Sequence, residues 1–357
     1  MSTPLKILVV GAGAIGCLVG GKLALAGNDV TLAGRPRIAE AIHSHGLRLI
    51  EPSGEQLIHT LRVTGSIGEA FANAAAGFDL IILTVKSYDT GAGLGELKSA
   101  AKTLPAILSL QNGVGNEEEI EGTLAAQRIF AGNITTPVSI PEVGVIRVEK
   151  AKYGIGLAEW EGKGKGARIG LAQVDEALVG AGFAVTVYGD ARGMKWTKLL
   201  LNIVGNASSA IVNEAPGVSF ADSAIVDLEL AAWRETLRVM RKAQIPALNM
   251  DGYPLKWAAP LVQILPNSLL RPIFRKLVAG GRGKKMPSLH IDLHSGKGKS
   301  EIGWLNGAVV AMGQKVGVAT PVNQLLTETL LEFVKASQTP NAQISLSHSQ
   351  LTAKLKA

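Results

Sequence analysis

Three polar side chains spaced one helical turn apart are the first sign of chemistry in this sequence. Lys198, Asn202 and Asn206 stand at i, i+4 and i+8 within residues 193–209, among Leu199, Leu200, Leu201, Ile203 and Val204. Helical spacing would stack the three on one face. The apolar residues leave little polar solvent face, so the pattern predicts a largely buried helix over the whole stretch. A buried ammonium is costly unless it is paired or its pKa falls, and buried amides need partners. Such a row should line a polar cleft. A half-exposed helix with its polar row in water fits the same residues, and the stretch alone leaves both readings open.

Other elements must supply whatever that row acts with. Ile7–Val10 is a short apolar run followed at once by Gly11-Ala-Gly13-Ala-Ile-Gly16. Ile15–Ala26 then reads as a helix closed by Gly27, and Val30–Leu32 as a second strand. In this strand–turn–helix–strand context the glycine pattern predicts a dinucleotide site. Gly11 permits the tight turn, Gly13 lets a pyrophosphate approach the backbone, and Gly16 allows helix and strand to pack closely. The helix N-terminus adds free N–H groups and a positive dipole end. Past the second strand come Arg35 and Arg37, with no acid before Glu40. An arginine there suits a 2′-phosphate, so the expected cofactor is NADP(H) rather than NAD.

The remaining pattern is α/β and then helical. Buried strands are expected at 80–85, ending in Lys86, and at 106–110, ending in Gln111-Asn112-Gly113. Ligands of doubly wound sheets lie outside the carboxyl ends of strands, which places Lys86 and Asn112 toward the cofactor. Asn116 and Glu119 resemble a capping box. Alternation over 135–160 predicts antiparallel strands extending the sheet, 162–166 reads as a turn, and 184–188 as a last strand. Helices follow over 221–244, 255–265, 301–316 and 324–336, which argues for a separate all-α domain. The expected plan is a Rossmann-type α/β domain at 1–190, mostly parallel with added antiparallel strands. A helical domain at 191–337 and a polar, loosely held tail at 338–357 complete it.

Bulk properties narrow the class. The 357 residues exceed one ordinary core, so two domains are the default. No apolar run reaches the length of a membrane helix, and the short run after Lys6 fits a strand better than a signal peptide. A single cysteine, Cys17, excludes an internal disulfide and a cysteine metal cluster, and points weakly to a cytoplasmic protein. A net charge of +7 suits nucleic acid or a small anion and does not choose between them. His290 and His294, with Asp292 between them, could suggest a metal site but have no third convincing ligand. The tryptophans read as packing residues, and no nucleic-acid recognition motif is present.

Taken together, the motifs resemble the ketopantoate reductase (2-dehydropantoate 2-reductase) family from Ile7 to about Glu332. The likeness rests on Gly11–Gly16, Thr-Val-Lys86, Gln-Asn112-Gly and Trp196-Thr-Lys198-Leu-Leu-Leu-Asn202. It also rests on Ser300-Glu301-Ile-Gly-Trp-Leu-Asn-Gly307 and Thr320-Pro-Val-Asn323. The resemblance implies NADPH and a ketoacid bound in a cleft between the two domains. It implies Lys198 as general acid, Glu301 interacting with that lysine and with substrate, and Asn202, Asn206 and Ser288 holding the substrate. Lys86, Asn112 and Arg35, with Gly11, Gly13 and Gly16, become the cofactor contacts. The implied partner is a small anionic ketoacid, with no nucleic acid or membrane; a homodimer is compatible. The chemistry agrees, since hydride delivery to a carbonyl builds negative charge on oxygen and a proton donor must stand nearby.

Departures from the family pattern leave rivals open. Gly303 replaces a common aspartate, Asn206 lacks the usual following proline, and the segment 251–299 is long and basic. It carries Arg271, Arg275, Lys276, Arg282, Lys284, Lys285, Lys297 and Lys299. A substrate pocket for a more anionic acid and a plain solvated face both fit it. The rival functions are a related hydroxyacid or polyol-phosphate dehydrogenase and a non-catalytic NADP-binding sensor or interaction protein.

Overall fold

Short β-rich runs alternate with glycine-punctuated helices in the first half of the chain, and the computed structural model turns them into strands and crossovers. It describes residues 3–74, 76–126, 128–149, 153–160, 168–250, 252–281 and 285–355. The expected turn at 162–166, and Arg282 and Lys284 of the basic segment, lie outside the described residues. The chain forms two compact units, Met1–Lys195 and Trp196–Ala357.

In the first unit β1 (Lys6–Val10), α1 (Ala14–Leu25) and β2 (Asp29–Ala33) form the opening βαβ unit, followed by α2 (Pro36–His45). The hairpin strands β3 (Leu47–Glu51) and β4 (Gly54–Ile58) come next, then β5 (Arg62–Thr64) and α3 (Ile67–Ala72). β6 (Leu80–Leu83), α4 (Thr90–Ala100), β7 (Ala106–Ser109), α5 (Asn116–Thr123) and β8 (Ile129–Ile134) continue the winding. β9 (Val138–Glu142), β10 (Val145–Val148), β11 (Gly154–Glu159), α6 (Leu171–Gly180) and β12 (Ala184–Val187) complete the strands. The main sheet has the order β12-β11-β8-β7-β6-β1-β2-β5. Its strands run parallel except where β11 meets β8 antiparallel. Ile7, Leu8, Ile81, Ile82, Ile107 and Leu108 are fully buried, as expected for a sheet covered on both faces.

Alternation over 135–160 does mark strands, but only β11 extends the main sheet. β9 and β10 join β3 and β4 in a second, four-stranded sheet of order β4-β3-β10-β9. A period of two reports which face is buried and carries no information about which strand is the neighbour. The capping box at Asn116 is also absent. α5 is preceded by Gly115 at φ +102°, and Asn116 lies inside the helix with its amide turned to other partners.

The helix carrying the polar row begins as α7 (Ala191–Ile203) and stops. Gly205, at φ +63°, breaks it, and α8 (Ala207–Val212) starts afresh after Asn206. The continuous helix expected over the stretch is therefore two helices, because a left-handed residue cannot be carried inside an α-helix. α9 (Pro216–Ser219), α10 (Ser223–Lys242), α11 (Leu255–Ile264), α12 (Asn267–Gly281) and α13 (Ser288–Leu293) follow. α14 (Asn306–Val316), α15 (Pro321–Ala336) and α16 (His348–Ala353) end the chain. The helix expected over 301–316 is likewise split, with a 3-10 turn at Glu301–Trp304 ahead of α14.

The second unit is organised on α10, which packs against α11, α12, α14, α15 and α16. Asp222 caps it by accepting the N–H of Ala224 (2.8 Å), and Arg241 and Lys242 occupy its last turn, both favourable ends for the dipole. Trp233 donates its indole N–H to the carbonyl of Leu200 (2.6 Å), tying α10 to α7. The C-terminal segment is held rather than loose. Leu346 donates its N–H to Ile211, Leu351 is fully buried, and the His348 ring lies 3.0 Å from both Glu214 and Asp222. Among the described residues no helix is long and apolar enough to cross a membrane. Leu351→Ala is expected to lower the unfolding free energy by about 2–3 kcal/mol. Urea denaturation measures this; a change below about 0.5 kcal/mol would mean the segment contributes nothing to the fold.

Candidate active site

At the end of β1 the three glycines of the turn are present for different reasons. Gly11 sits at φ +109°, and a Cβ there would stand 2.8 Å from the Val85 nitrogen. On Gly16 a Cβ would fall 1.8 Å from the Gly11 carbonyl oxygen. The fold itself demands both. Gly13, which precedes α1, is different: a Cβ there meets nothing within 4 Å. Protein packing does not require glycine at 13, whereas a ligand lying on that backbone does. The hydroxyl of Thr84, shared between the carbonyls of Val10 (3.0 Å) and Gly11 (2.8 Å), pins the turn to the end of β6. No acid occupies the first turn of α1, so nothing opposes an anion at its N-terminus. The residues present fit a dinucleotide pyrophosphate.

Arg35 follows β2 and precedes α2. Its side chain is 69% exposed, and its nearest acid is Asp89, at 3.6 Å. An exposed pair at that distance is weak, so the guanidinium remains able to accept a 2′-phosphate. Arg37 is exposed two residues on. Lys86, half-buried, and Asn112, exposed, stand on the two loops that leave β6 and β7. Those loops are tied together. Ser87 donates to the Asn112 carbonyl (2.9 Å), and the Gln111 amide donates to the Val85 carbonyl (3.0 Å) and to Thr90 (2.7 Å). Asn116 also donates to the Asn112 carbonyl (3.0 Å). Cys17, buried on α1, has its thiol pushed up to about 12 by burial and packs as an inert side chain.

In the second unit the structure brings Asn202, Asn206 and Ser288 together. Asn206 donates to the Asn202 carbonyl (3.2 Å) and to the Ser288 hydroxyl (3.3 Å), and accepts the N–H of Leu289 (3.1 Å). At 3% exposure its amide is committed inside the protein. Its bonds to Ser288 and Leu289 tie it to the start of α13. Lys198 and Asn202 are half-buried, one turn apart on α7. Glu301 is 3% exposed at the head of its 3-10 turn, where Ser300 accepts the N–H of Ile302 (3.3 Å). α13 packs against α8 and against that same turn, so Ser288 and Glu301 are carried by neighbouring elements.

Several buried charges escaped the sequence reading, Glu229, Lys195 and Glu117 among them. Glu229 on α10 accepts the N–H of Gly205 (2.9 Å) and the hydroxyl of Ser208, holding the break between α7 and α8. Lys195, 3% exposed, pairs with Glu117 (2.9 Å), which is 1% exposed. Sequence offers little signal for them, since a charge inside an apolar run reads equally well as surface. The basic segment is partly structural. Arg271 makes a two-pronged bond to Asp227 (2.8 and 2.6 Å), and Arg275 donates to the carbonyls of Phe220 and Ala221. The His290 and His294 rings stack at 4.0 Å, and His290 bonds Asn213. Among the described residues no three His, Cys, Asp or Glu could hold a metal ion.

A glycine cradle at the first strand end, ahead of a helical unit carrying a lysine and amides, defines an oxidoreductase of the Rossmann class. The sequence matches the family described as Ketopantoate reductase PanE/ApbA over residues 7–162, and its C-terminal counterpart over 190–333. It is 32% identical to 2-dehydropantoate 2-reductase of Pyrococcus horikoshii over 336 residues, covering 90% of this chain and 95% of that one. The fold is similar to that of a PanE/ApbA family ketopantoate reductase from Ralstonia eutropha JMP134. That comparison has a TM-score of 0.77 at 26% identity and covers 94% of this chain and all of the other. D-mandelate dehydrogenase, solved with NADH and anilino(oxo)acetate, shares the fold at a TM-score of 0.76 and 24% identity, over 95% of this chain and all of that one. The chain belongs to the ketopantoate reductase family, whose members use NADPH.

The cradle geometry separates two substitutions. Gly13→Ala should cost about 1 kcal/mol or less in stability, the usual scale for a helix N-cap, while weakening NADPH binding roughly tenfold or more. Gly16→Ala should destabilise by about 3 kcal/mol or more, since backbone must move. Thermal melts with and without NADPH check both; equal effects on stability would remove the distinction.

Proposed function

We propose that this chain reduces a 2-ketoacid with NADPH, and that 2-dehydropantoate, giving pantoate, is its substrate. The observation that carries the reading is the set built on α7 and α13. A half-buried lysine and a half-buried amide lie one turn apart on α7, and Asn206 ties the same segment to the Ser288 hydroxyl.

NADPH, when bound at the glycine turn, supplies the hydride. The chain's own residues do the rest. Reduction of a ketone places negative charge on its oxygen, and Lys198 is the proton donor to that oxygen. Glu301, buried at the head of its turn, orients the ammonium. Asn202 offers both donor and acceptor groups to the substrate's polar oxygens. Ser288 already accepts from Asn206, so its own O–H is the group it can donate to a carboxylate. Arg271 and Arg275 bond other parts of the second unit. This favours an ordinary monoanionic ketoacid over one of higher charge.

NADPH oxidation followed with 2-dehydropantoate and a panel of other 2-ketoacids tests the reading. Folded protein that binds NADPH yet turns over none of them would end it. Lys198→Ala should lower kcat/KM by about 10²–10⁴-fold while leaving the NADPH Kd within about threefold; wild-type turnover would remove this lysine from the chemistry. Arg35→Ala should reduce the preference for NADPH over NADH by about tenfold or more, the scale of a lost bond to a charged group. Unchanged preference in steady-state kinetics would place the 2′-phosphate elsewhere.

A further inference from the structure

The Lys195–Glu117 pair is unexplained by the proposed chemistry and by stability. Both side chains are buried, at 3% and 1% exposure. Removing two charges from water costs as much as their attraction returns, so a well-packed apolar pair is often as stable or more so. A lysine ammonium has three donors, and here three acceptors surround it. They are the Glu117 carboxylate (2.9 Å), the Gln111 carbonyl (2.8 Å) and the Gly132 carbonyl (3.3 Å). Bonded to two carbonyls, in ion-pair contact with Glu117 and buried, Lys195 acts through its neighbours and not on a ligand.

Gln111 lies just past the carboxyl end of β7, where doubly wound sheets bind their ligands, while Gly132 sits within the adjacent β8 and Glu117 in α5. Gln111 immediately precedes Asn112, in a turn whose Gly113 and Gly115 have φ of +80° and +102°. The Gln111 side chain reaches the Val85 carbonyl and Thr90. Thr90 donates to Asn116 (3.3 Å), and Asn116 and Ser87 both donate to the Asn112 carbonyl. One connected set of bonds thus runs from the buried ammonium to the two loops bearing Lys86 and Asn112.

We infer that the buried Lys195–Glu117 pair positions the Gln111–Gly115 turn, and with it Asn112, for cofactor binding. The inference rests on the reading that Asn112 and Lys86 face NADPH. It assigns Lys195 and Glu117 as positioning residues that never touch the reacting atoms. A protein with the pair replaced by apolar residues should fold and yet hold a cofactor-facing turn that wanders.

The doubly substituted Lys195→Met/Glu117→Met protein tests this. Its Tm should equal or exceed that of the wild type, while the NADPH Kd, read by fluorescence titration, rises at least tenfold. In kinetics the loss should appear in KM for NADPH, with kcat changed less than threefold. A wild-type Kd in the folded double variant overturns the inference. Should that protein not fold, Glu117→Gln, which keeps shape and one acceptor, should raise the Kd at least threefold; a wild-type Kd there overturns it equally. Binding is measured without ketoacid, so a wild-type protein that binds NADPH but reduces no ketoacid defeats the proposed function and still decides this inference.

Discussion

A charged or polar group taken out of water must find its partners inside the protein, and within each unit that requirement shapes the backbone around the candidate residues. In the second unit the carboxylate of Glu229 takes the N–H of Gly205 and so holds the chain where α7 ends. A straight continuation would carry Asn206 along the same helix. The break instead turns its amide to Ser288 and Leu289, which fixes the start of α13. In the first unit Lys195 does the corresponding work for the turn after β7, which it ties to the Gly132 carbonyl of β8.

This arrangement divides the polar residues into two kinds. Asn206, Glu229, Lys195 and Glu117 are nearly inaccessible and bond mainly to backbone or to one another. Lys198, Asn202, Ser288, Lys86, Asn112 and Arg35 are half-buried or exposed. The first kind resists movement because any shift leaves a desolvated polar atom unpaired. The second kind keeps part of its surface open to solvent. Reduction of a small ketone needs both, since a proton donor misplaced by a fraction of its hydrogen-bond length loses most of its effect.

The glycine turn was legible in the sequence because its cause is local. Strand, turn and helix follow one another within a few residues, and Gly16 is demanded by the Gly11 carbonyl five positions before it, although Gly11 itself is crowded by Val85 from beyond β6. The strands ending at Lys86 and Asn112 were legible too, as continuous apolar runs of the kind a parallel sheet buries. The helix of the polar row was only half legible. Its composition announced burial, whereas Gly205 within it reads as a tolerated helix glycine until its φ of +63° is known.

Sequence by itself determined the α/β-then-helical order, the dinucleotide turn and the residue types that a ketoacid reductase needs. These depend on periodicity and on contacts between near neighbours along the chain. Only the tertiary structure decided that β9 and β10 belong to a second sheet, that the tail is docked through Leu351, and that Asn206 is bonded to the start of α13. It alone paired Lys195 with Glu117, 78 positions apart in sequence. Partner choice for a buried polar group is set by what folding brings beside it, and one sequence read alone carries no record of that neighbour.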